Sequence, residues 1–148
     1  LYATFQEEWH NPLFHHAVAI EKLQLTAAGR EIQRHNLELP VRMSMDIRGE
    51  FSIEEVQALQ KKLMPKMEIS EVEGMIALAA LEETQIKRLD EAISNTEDIN
   101  IIILYDRIRV SSKKHLIAIC KALAEQDIPY HPVTLTEKEL EDLVDTVL

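Results

Sequence analysis

Two stretches of the sequence carry apolar residues at alternating steps of three and four, and this period constrains the fold more than any other feature. The first stretch comprises Val72, Met75, Ala79, Glu82, Ile86, Leu89 and Ile93. The second comprises Ile101, Tyr105, Ile108, Ser112, His115, Ile119 and Ala122. Residues with this spacing lie along one face of an α-helix that packs along a neighbour. Because few residues around Asn95 separate the stretches, they predict two antiparallel helices.

Two further helices are predicted before this pair. Residues 1–9 carry Tyr2, Phe5 and Trp9 on one stripe, which is typical of a helix. Asn11 followed by Pro12 predicts the start of a second helix, with Asn as the cap, and this helix runs to about His35.

Capping boxes, in which Ser or Thr is followed three residues later by Glu, predict the remaining helix starts. They occur at Ser52, Ser70 and Thr136. The helix after Ser52 is expected to end near Pro65, because proline interrupts a helix interior. Residues 37–49 have no clear period and are predicted to be a loop.

Together these elements predict an all-α fold. We expect a ferritin-like antiparallel four-helix bundle with a crossover helix and a short C-terminal helix, because one long connection is typical of ferritin-like bundles. Residues 1–148 would form a single domain, with a first helix shortened at its N-terminus. The low content of 3 glycines and 5 prolines argues against an all-β fold, which needs many turns.

The charge balance excludes several classes of partner. A net charge of −10 opposes binding to nucleic acid and to anionic membrane surfaces. A single cysteine, Cys120, allows no internal disulfide, and no apolar run is long enough to span a bilayer. We therefore expect a cytoplasmic protein that binds neither nucleic acid nor membrane. Its three glycines cannot form a phosphate-binding loop, and no motif of another enzyme class occurs.

Three ionisable residues interrupt the apolar stripes of three helices and form the candidate site: Glu21, Glu82 and His115. A buried carboxylate must be paired, protonated or bound to metal. Carboxylates and imidazoles on facing helices hold metals in helical bundles. The sequence therefore predicts a metal site at these residues, with Fe, Mn or Zn as the candidate metals. The site is degenerate, because Gln24 and Gln85 stand at the i+3 positions and are weak ligands.

A hydrogen-bonded network is the alternative to metal. In it the two carboxylates pair with Gln24, Gln85, Tyr105 and Ser112. His115 would then be a core histidine bonded to a carboxylate. A turn centred on Asn95 also predicts that His115 lies roughly 10 Å further along the helix axis than Glu82.

The corresponding alternative function is a metal-free helical bundle that acts as a scaffold or interaction module. A shortened first helix would leave Phe5, Trp9 and Phe14 uncovered. An exposed aromatic patch of this kind predicts a homo-oligomer, most simply a dimer.

The chain resembles an uncharacterised ferritin-like family of archaea and bacteria, a domain of unknown function. The resemblance runs through Leu1-Tyr2-Ala3, Trp9, Pro12, Phe14, Ile20-Glu21, Leu81-Glu82-Glu83, Tyr105, Ser112, His115-Leu116 and Pro129-Tyr130. It implies Glu-x-x-His on the second helix, Glu-Glu-x-Asp on the third and Ser-x-x-His on the fourth. Glu21, Glu82-Glu83, Ser112 and His115 match these motifs, whereas Gln24 replaces the histidine and Gln85 the aspartate. A dinuclear site would need a further ligand upstream of Leu1.

Overall fold

The computed structural model describes residues 1–36 and 54–145. Over these residues the chain forms six α-helices and one 3₁₀ turn, without a strand, which confirms the all-α prediction. The α-helices are α1 Tyr2–Trp9, α2 His15–Arg34, α3 Glu54–Ile69, α4 Glu71–Ser94, α5 Ile99–Ala124 and α6 Glu137–Asp145. Within the described helices, none has the length and apolar content needed to cross a membrane. The chain divides into two compact units, Leu1–Glu71 and Val72–Leu148, and each is described by itself.

Aromatic rings form the centre of the first unit. The Phe14 ring packs against Phe5 at a centroid distance of 4.7 Å and against Tyr2 at 5.8 Å. The indole of Trp9 donates a hydrogen bond to the Met67 carbonyl at 2.8 Å and so connects α1 to α3. Phe5 and Phe14 are 0% and 2% exposed, so the prediction that they form an exposed patch is wrong. The prediction of a homo-oligomer therefore no longer has an exposed aromatic patch to support it.

The start of α2 differs from the predicted Asn-Pro start. Pro12–Phe14 forms a 3₁₀ turn, and the α-helix begins at His15. The Asn11 side chain donates a hydrogen bond to Glu71 Oε1 at 2.6 Å. Asn11 therefore connects two parts of the first unit, and it directly precedes the 3₁₀ turn that leads into α2.

The helix α3 continues through Pro65 to Ile69, so the predicted end near Pro65 is also wrong. Proline removes one helical hydrogen bond. The next turn is nevertheless held in place, because Met67 is fully buried and its carbonyl accepts the Trp9 bond. The capping box at Ser52 and the loop predicted at 37–49 lie outside the described residues.

The second unit contains the predicted antiparallel pair, α4 and α5. Arg109 donates to Asp90 at 2.6 Å, and His115 contacts Glu82 at 3.1 Å, so α5 runs opposite to α4. Both helices carry buried apolar residues, which are Met75, Leu78 and Ile86 on α4 and Leu116, Ile119 and Leu123 on α5. This confirms the helix pair that the two periodic stretches predict.

The C-terminal helix α6 begins at the predicted capping box. The Thr136 hydroxyl accepts from the Glu139 amide at 3.2 Å, and the Glu139 carboxylate accepts from the Thr136 amide at 2.7 Å. Glu139 also accepts from Lys87 of α4 at 2.6 Å. The hydrogen bond from Lys87, followed by those from Thr136, lowers the pKa of the Glu139 carboxyl to about 2.

Replacement of the α5 cap tests this account of the hairpin. The Asp98 carboxylate accepts from the amides of Asn100 and Ile101, at 2.8 and 3.3 Å. Asp98→Ala leaves both donors without this acceptor, and we expect the free energy of unfolding to fall by about 1 kcal/mol in urea denaturation. The exposed neighbour Glu97 supplies the control, since Glu97→Ala keeps the cap. Equal losses in the two variants would contradict the capping role.

Candidate functional site

Two adjacent carboxylates, Glu82 and Glu83, are buried within α4. They are 1% and 0% exposed, although they carry ionisable groups. Neighbouring residues on a helix point about 100° apart, so the two side chains meet different surroundings. The site is therefore best described as two carboxylates with two sets of partners.

Glu82 faces His115 of α5. The distance from Glu82 Oε1 to His115 Nδ1 is 3.1 Å, and the imidazole is 13% exposed. A contact of this length is a hydrogen bond when Nδ1 carries the proton. The structure thus brings together two of the three predicted ligands within one unit.

The predicted 10 Å offset between Glu82 and His115 is wrong, and the helix geometry explains why. The contacts Asp90–Arg109 and Glu82–His115 place the midpoint of the hairpin nearer Ile99 than Asn95. Side chains also tilt toward the N-terminus of their own helix. In an antiparallel pair this tilt moves Glu82 away from the turn and His115 toward it, so the two side chains approach each other.

The third predicted ligand, Glu21, lies on α2 in the first unit. Glu21 is half-buried, and it shares a face with the buried Ala17 and the half-buried Gln24. Leu23, two residues further along the helix, is 70% exposed, so Glu21 lies on the less exposed face of α2.

The contact between His115 and Glu82 is also the one that the network alternative predicts for a core histidine. Ser112, one turn before His115 on α5, is buried at 1% exposure. Tyr105 and Gln85 are half-buried. The polar centre of the second unit is therefore largely shielded from solvent, which strengthens its electrostatic interactions.

Glu83 has a different set of partners, in the segment between α5 and α6. Its carboxylate accepts hydrogen bonds from three consecutive backbone amides, those of Val133, Thr134 and Leu135, at 3.0, 2.6 and 2.8 Å. The Tyr130 hydroxyl donates to the other carboxylate oxygen. Successive amides that converge in this way form an anion-binding concavity. We call this set of contacts the Glu83 anchor.

The Glu83 anchor alters the acidity of two nearby groups. Burial, together with the negative charge of Glu83, raises the pKa of the Cys120 thiol to about 11. Burial and the hydrogen bond to Glu83 raise the pKa of the Tyr130 hydroxyl well above its ordinary value. Both groups are therefore neutral at pH 7, and Cys120 is a poor nucleophile there.

The role of Glu83 was not predicted from the sequence. The available signal was a second carboxylate, directly after Glu82, inside a run of apolar residues. Its partners are mainly backbone amides, which leave no trace in the side-chain pattern. Glu82 was identified because its own position falls on the apolar stripe.

The fold and these contacts define an all-α protein with a buried carboxylate–imidazole pair between two antiparallel helices. The chain belongs to the family described as uncharacterized protein domain DUF2202, whose model matches residues 1–147. The family resemblance inferred from the sequence is confirmed to this extent.

A relative in Methanocaldococcus jannaschii, the uncharacterized protein MJ0754, is 26% identical over 144 residues. The match covers 97% of this chain and 77% of the relative. The crystal structure of hypothetical protein MJ0754 is similar to this fold with a TM-score of 0.89, over 97% of this chain and 81% of that one. Neither name states an activity.

The Glu83 anchor predicts a large effect of Glu83→Gln on stability. The amide side chain loses the charge and directs an NH2 group at backbone donors, and hydrogen bonds to charged groups contribute about 1.5–3 kcal/mol each. We expect the free energy of unfolding to fall by about 3 kcal/mol in urea denaturation. Glu91→Gln, at an exposed position of the same helix, should change it by less than about 0.5 kcal/mol. A similarly small change for Glu83→Gln would contradict the anchor.

The raised pKa of Cys120 predicts slow alkylation of the native protein. Only the thiolate reacts, so the rate with iodoacetamide should rise with pH toward a midpoint near 11 in the folded protein. The same protein unfolded in urea should show a midpoint near the ordinary value of about 8.5. Glu83→Gln should lower the native midpoint, because it removes a neighbouring negative charge. Identical midpoints for folded and unfolded protein would contradict the burial of the thiol.

Proposed function

We propose that this protein is a ferritin-like metal-binding protein in which Glu21, Glu82 and His115 hold one divalent ion. In this proposal the chain is a ferritin-like antiparallel four-helix bundle with a crossover helix and a short C-terminal helix. The observation that carries it is the contact of 3.1 Å between the Glu82 carboxylate and the His115 imidazole, at a site where Glu82 is 1% exposed.

The chemistry of these residues fits a divalent metal. A carboxylate taken out of water needs a positive charge or donors nearby. Glu and His are ligands of Fe, Mn and Zn in helical proteins. Glu21 would add a second carboxylate, and two carboxylates with a neutral imidazole balance the charge of a dication. Its place on the less exposed face of α2 supports this role.

The two glutamines favour a mononuclear site over a dinuclear one. The family resemblance implies ligands at the positions of Gln24 and Gln85, and a neutral carboxamide binds metal more weakly than imidazole or carboxylate. Three protein ligands leave at least one coordination position open, as in metal sites that bind water or a small molecule. The fold alone assigns no reaction to that position.

The comparisons support the choice of these three residues as one set. The family model matches residues 1–147, and the match to MJ0754 covers 97% of the chain. The family model therefore spans all three proposed ligands. The relative's printed description adds no ligand or reaction.

One observation favours a metal-free alternative. Glu82 and His115 already contact each other at 3.1 Å, so each reduces the desolvation cost of the other without an ion. In that case the protein is a helical-bundle scaffold or interaction module that has lost its metal centre.

Elemental analysis separates these two functions. Protein purified without chelator and without an affinity metal should contain about one Fe, Mn or Zn per chain. His115→Ala should remove the metal while circular dichroism shows retained helix. His131→Ala is the matched control, because that imidazole is exposed and pairs with Glu137 on the surface. Metal content that survives His115→Ala would contradict the site as proposed.

Glu21→Gln tests the third ligand on its own. It should lower metal content and abolish the increase in melting temperature that added metal gives, since a ligand that binds only the folded state stabilises it. The exposed Glu8→Gln should leave both quantities unchanged. Absence of metal from the unaltered protein, even after anaerobic addition of Fe(II), would favour the metal-free scaffold.

A further inference from the structure

A groove lies on the second unit between α4, α5 and α6, apart from the Glu82–His115 pair. Its volume is about 480 Å³, within the range of about 300–1,000 Å³ that is usual for small-molecule pockets. Its apolar lining consists of Ile86, Val110, Ile117, Leu135 and Leu143. The groove therefore offers an apolar surface of ligand size.

The acidic side chains that line the groove already have partners. Asp90 accepts from Arg109 at 2.6 Å, and Glu139 accepts from Lys87 at 2.6 Å. Asp142 also interacts with another group of the protein. These carboxylates are therefore poorly placed to attract a cationic ligand.

Two lining lysines remain to interact with a ligand. Lys113 and Lys114 lie on α5 between the apolar residues Val110 and Ile117. Neither ammonium has an acidic partner among the residues that the structure describes. The acidic and basic side chains of the lining are equal in number, and Lys113 and Lys114 place positive charge on its α5 wall. An anionic group is thus complementary to it.

We propose that this groove binds a small amphipathic carboxylate. The apolar chain of the ligand lies against Val110, Ile117 and Leu135, and its carboxylate lies between Lys113 and Lys114. The binding energy comes from burial of the apolar chain, and the two ammonium groups select the anionic head group.

The length of the groove favours a small molecule over a protein partner. The lining of α5 runs from Val110 to Ile117, which is about 10 Å along the helix axis. A stable protein interface buries about 800 Å² on each partner, which requires a longer surface. The proposed ligand site also shares no residue with the proposed metal ligands, so the two proposals fail independently.

The floor of the groove depends on the Glu83 anchor. Leu135 is 9% exposed, and its amide donates to Glu83 at 2.8 Å. Lys87 of α4 donates a hydrogen bond to Glu139 in the first turn of α6, and both side chains line the groove. The groove is therefore formed before a ligand arrives, which reduces the ordering cost of binding.

Titration calorimetry with decanoate tests the proposal. We expect saturable binding of one decanoate per chain, and at least about tenfold weaker binding of decanol and of decyltrimethylammonium. Equal affinity for the anion and the cation would overturn the proposal, as would the absence of saturable binding.

Variants of the lysines locate the head group. The double variant Lys113→Gln, Lys114→Gln should weaken decanoate binding by about tenfold or more and leave decanol binding unchanged. Lys121→Gln is the matched control, because this lysine is exposed on the same helix and does not line the groove. If Lys121→Gln weakens decanoate binding as much as the double variant does, the assignment of the head group to Lys113 and Lys114 is overturned.

A third variant tests the apolar chain. Val110 is 41% exposed, so Val110→Trp places a large side chain into the groove without displacing a buried side chain of α4 or α5. It should weaken binding of decanoate and of decanol alike, while urea denaturation shows unchanged stability. Unchanged decanoate affinity in this variant would place the ligand elsewhere and overturn the proposal.

Discussion

The buried carboxylate of Glu83 holds together two parts of the second unit that are about 50 residues apart in the sequence. A charge at 0% exposure is costly unless donors surround it, and here three backbone amides and one hydroxyl supply them. The bonds join the middle of α4 to the segment that leads into α6. As a result the segment that leads into α6 is held by a residue that lies far from it in sequence.

The adjacent residue, Glu82, has the same functional group and a different task. Its partner is an ionisable imidazole, whereas the partners of Glu83 are amides that neither titrate nor bind metal. Of the two carboxylates, only Glu82 faces a side chain that can also serve as a metal ligand. Two neighbouring carboxylates thus divide into a structural anchor and a candidate ligand, because a rotation of about 100° places them against different helical surroundings.

Periodicity predicted the parts of the fold that depend on side chains with regular spacing. Apolar spacing predicts the antiparallel pair α4 and α5 and the inward position of Glu82. A capping box predicts the start of α6 at Thr136. The same patterns failed at Pro65, where a hydrogen bond from Trp9 of α1 holds the following turn. A helix continues through a proline when tertiary bonds compensate, and such bonds join residues distant in sequence.

The candidate site shows the same division. The identity of Glu82 and His115 was predictable, because each interrupts an apolar stripe, but their distance was not. An error of a few residues in the centre of a turn becomes several ångströms along an axis that rises about 1.5 Å per residue. The burial of Phe5 and Phe14 was missed for a related reason, since the ring cluster depends on a 3₁₀ turn that no periodic pattern marks.

The separation of tasks between Glu82 and Glu83 determines how loss of a metal would affect this fold. The Glu83 anchor satisfies its own charge with groups of the protein, so α6 and the groove beside it remain in place whether or not Glu82 binds an ion. The contact between Glu82 Oε1 and His115 likewise reduces the cost of burying the Glu82 carboxylate when no ion is bound. This contact does not involve Gln24 or Gln85, so it persists although neither position supplies a strong metal ligand. The degenerate ligand set is therefore compatible with a stable fold in either state.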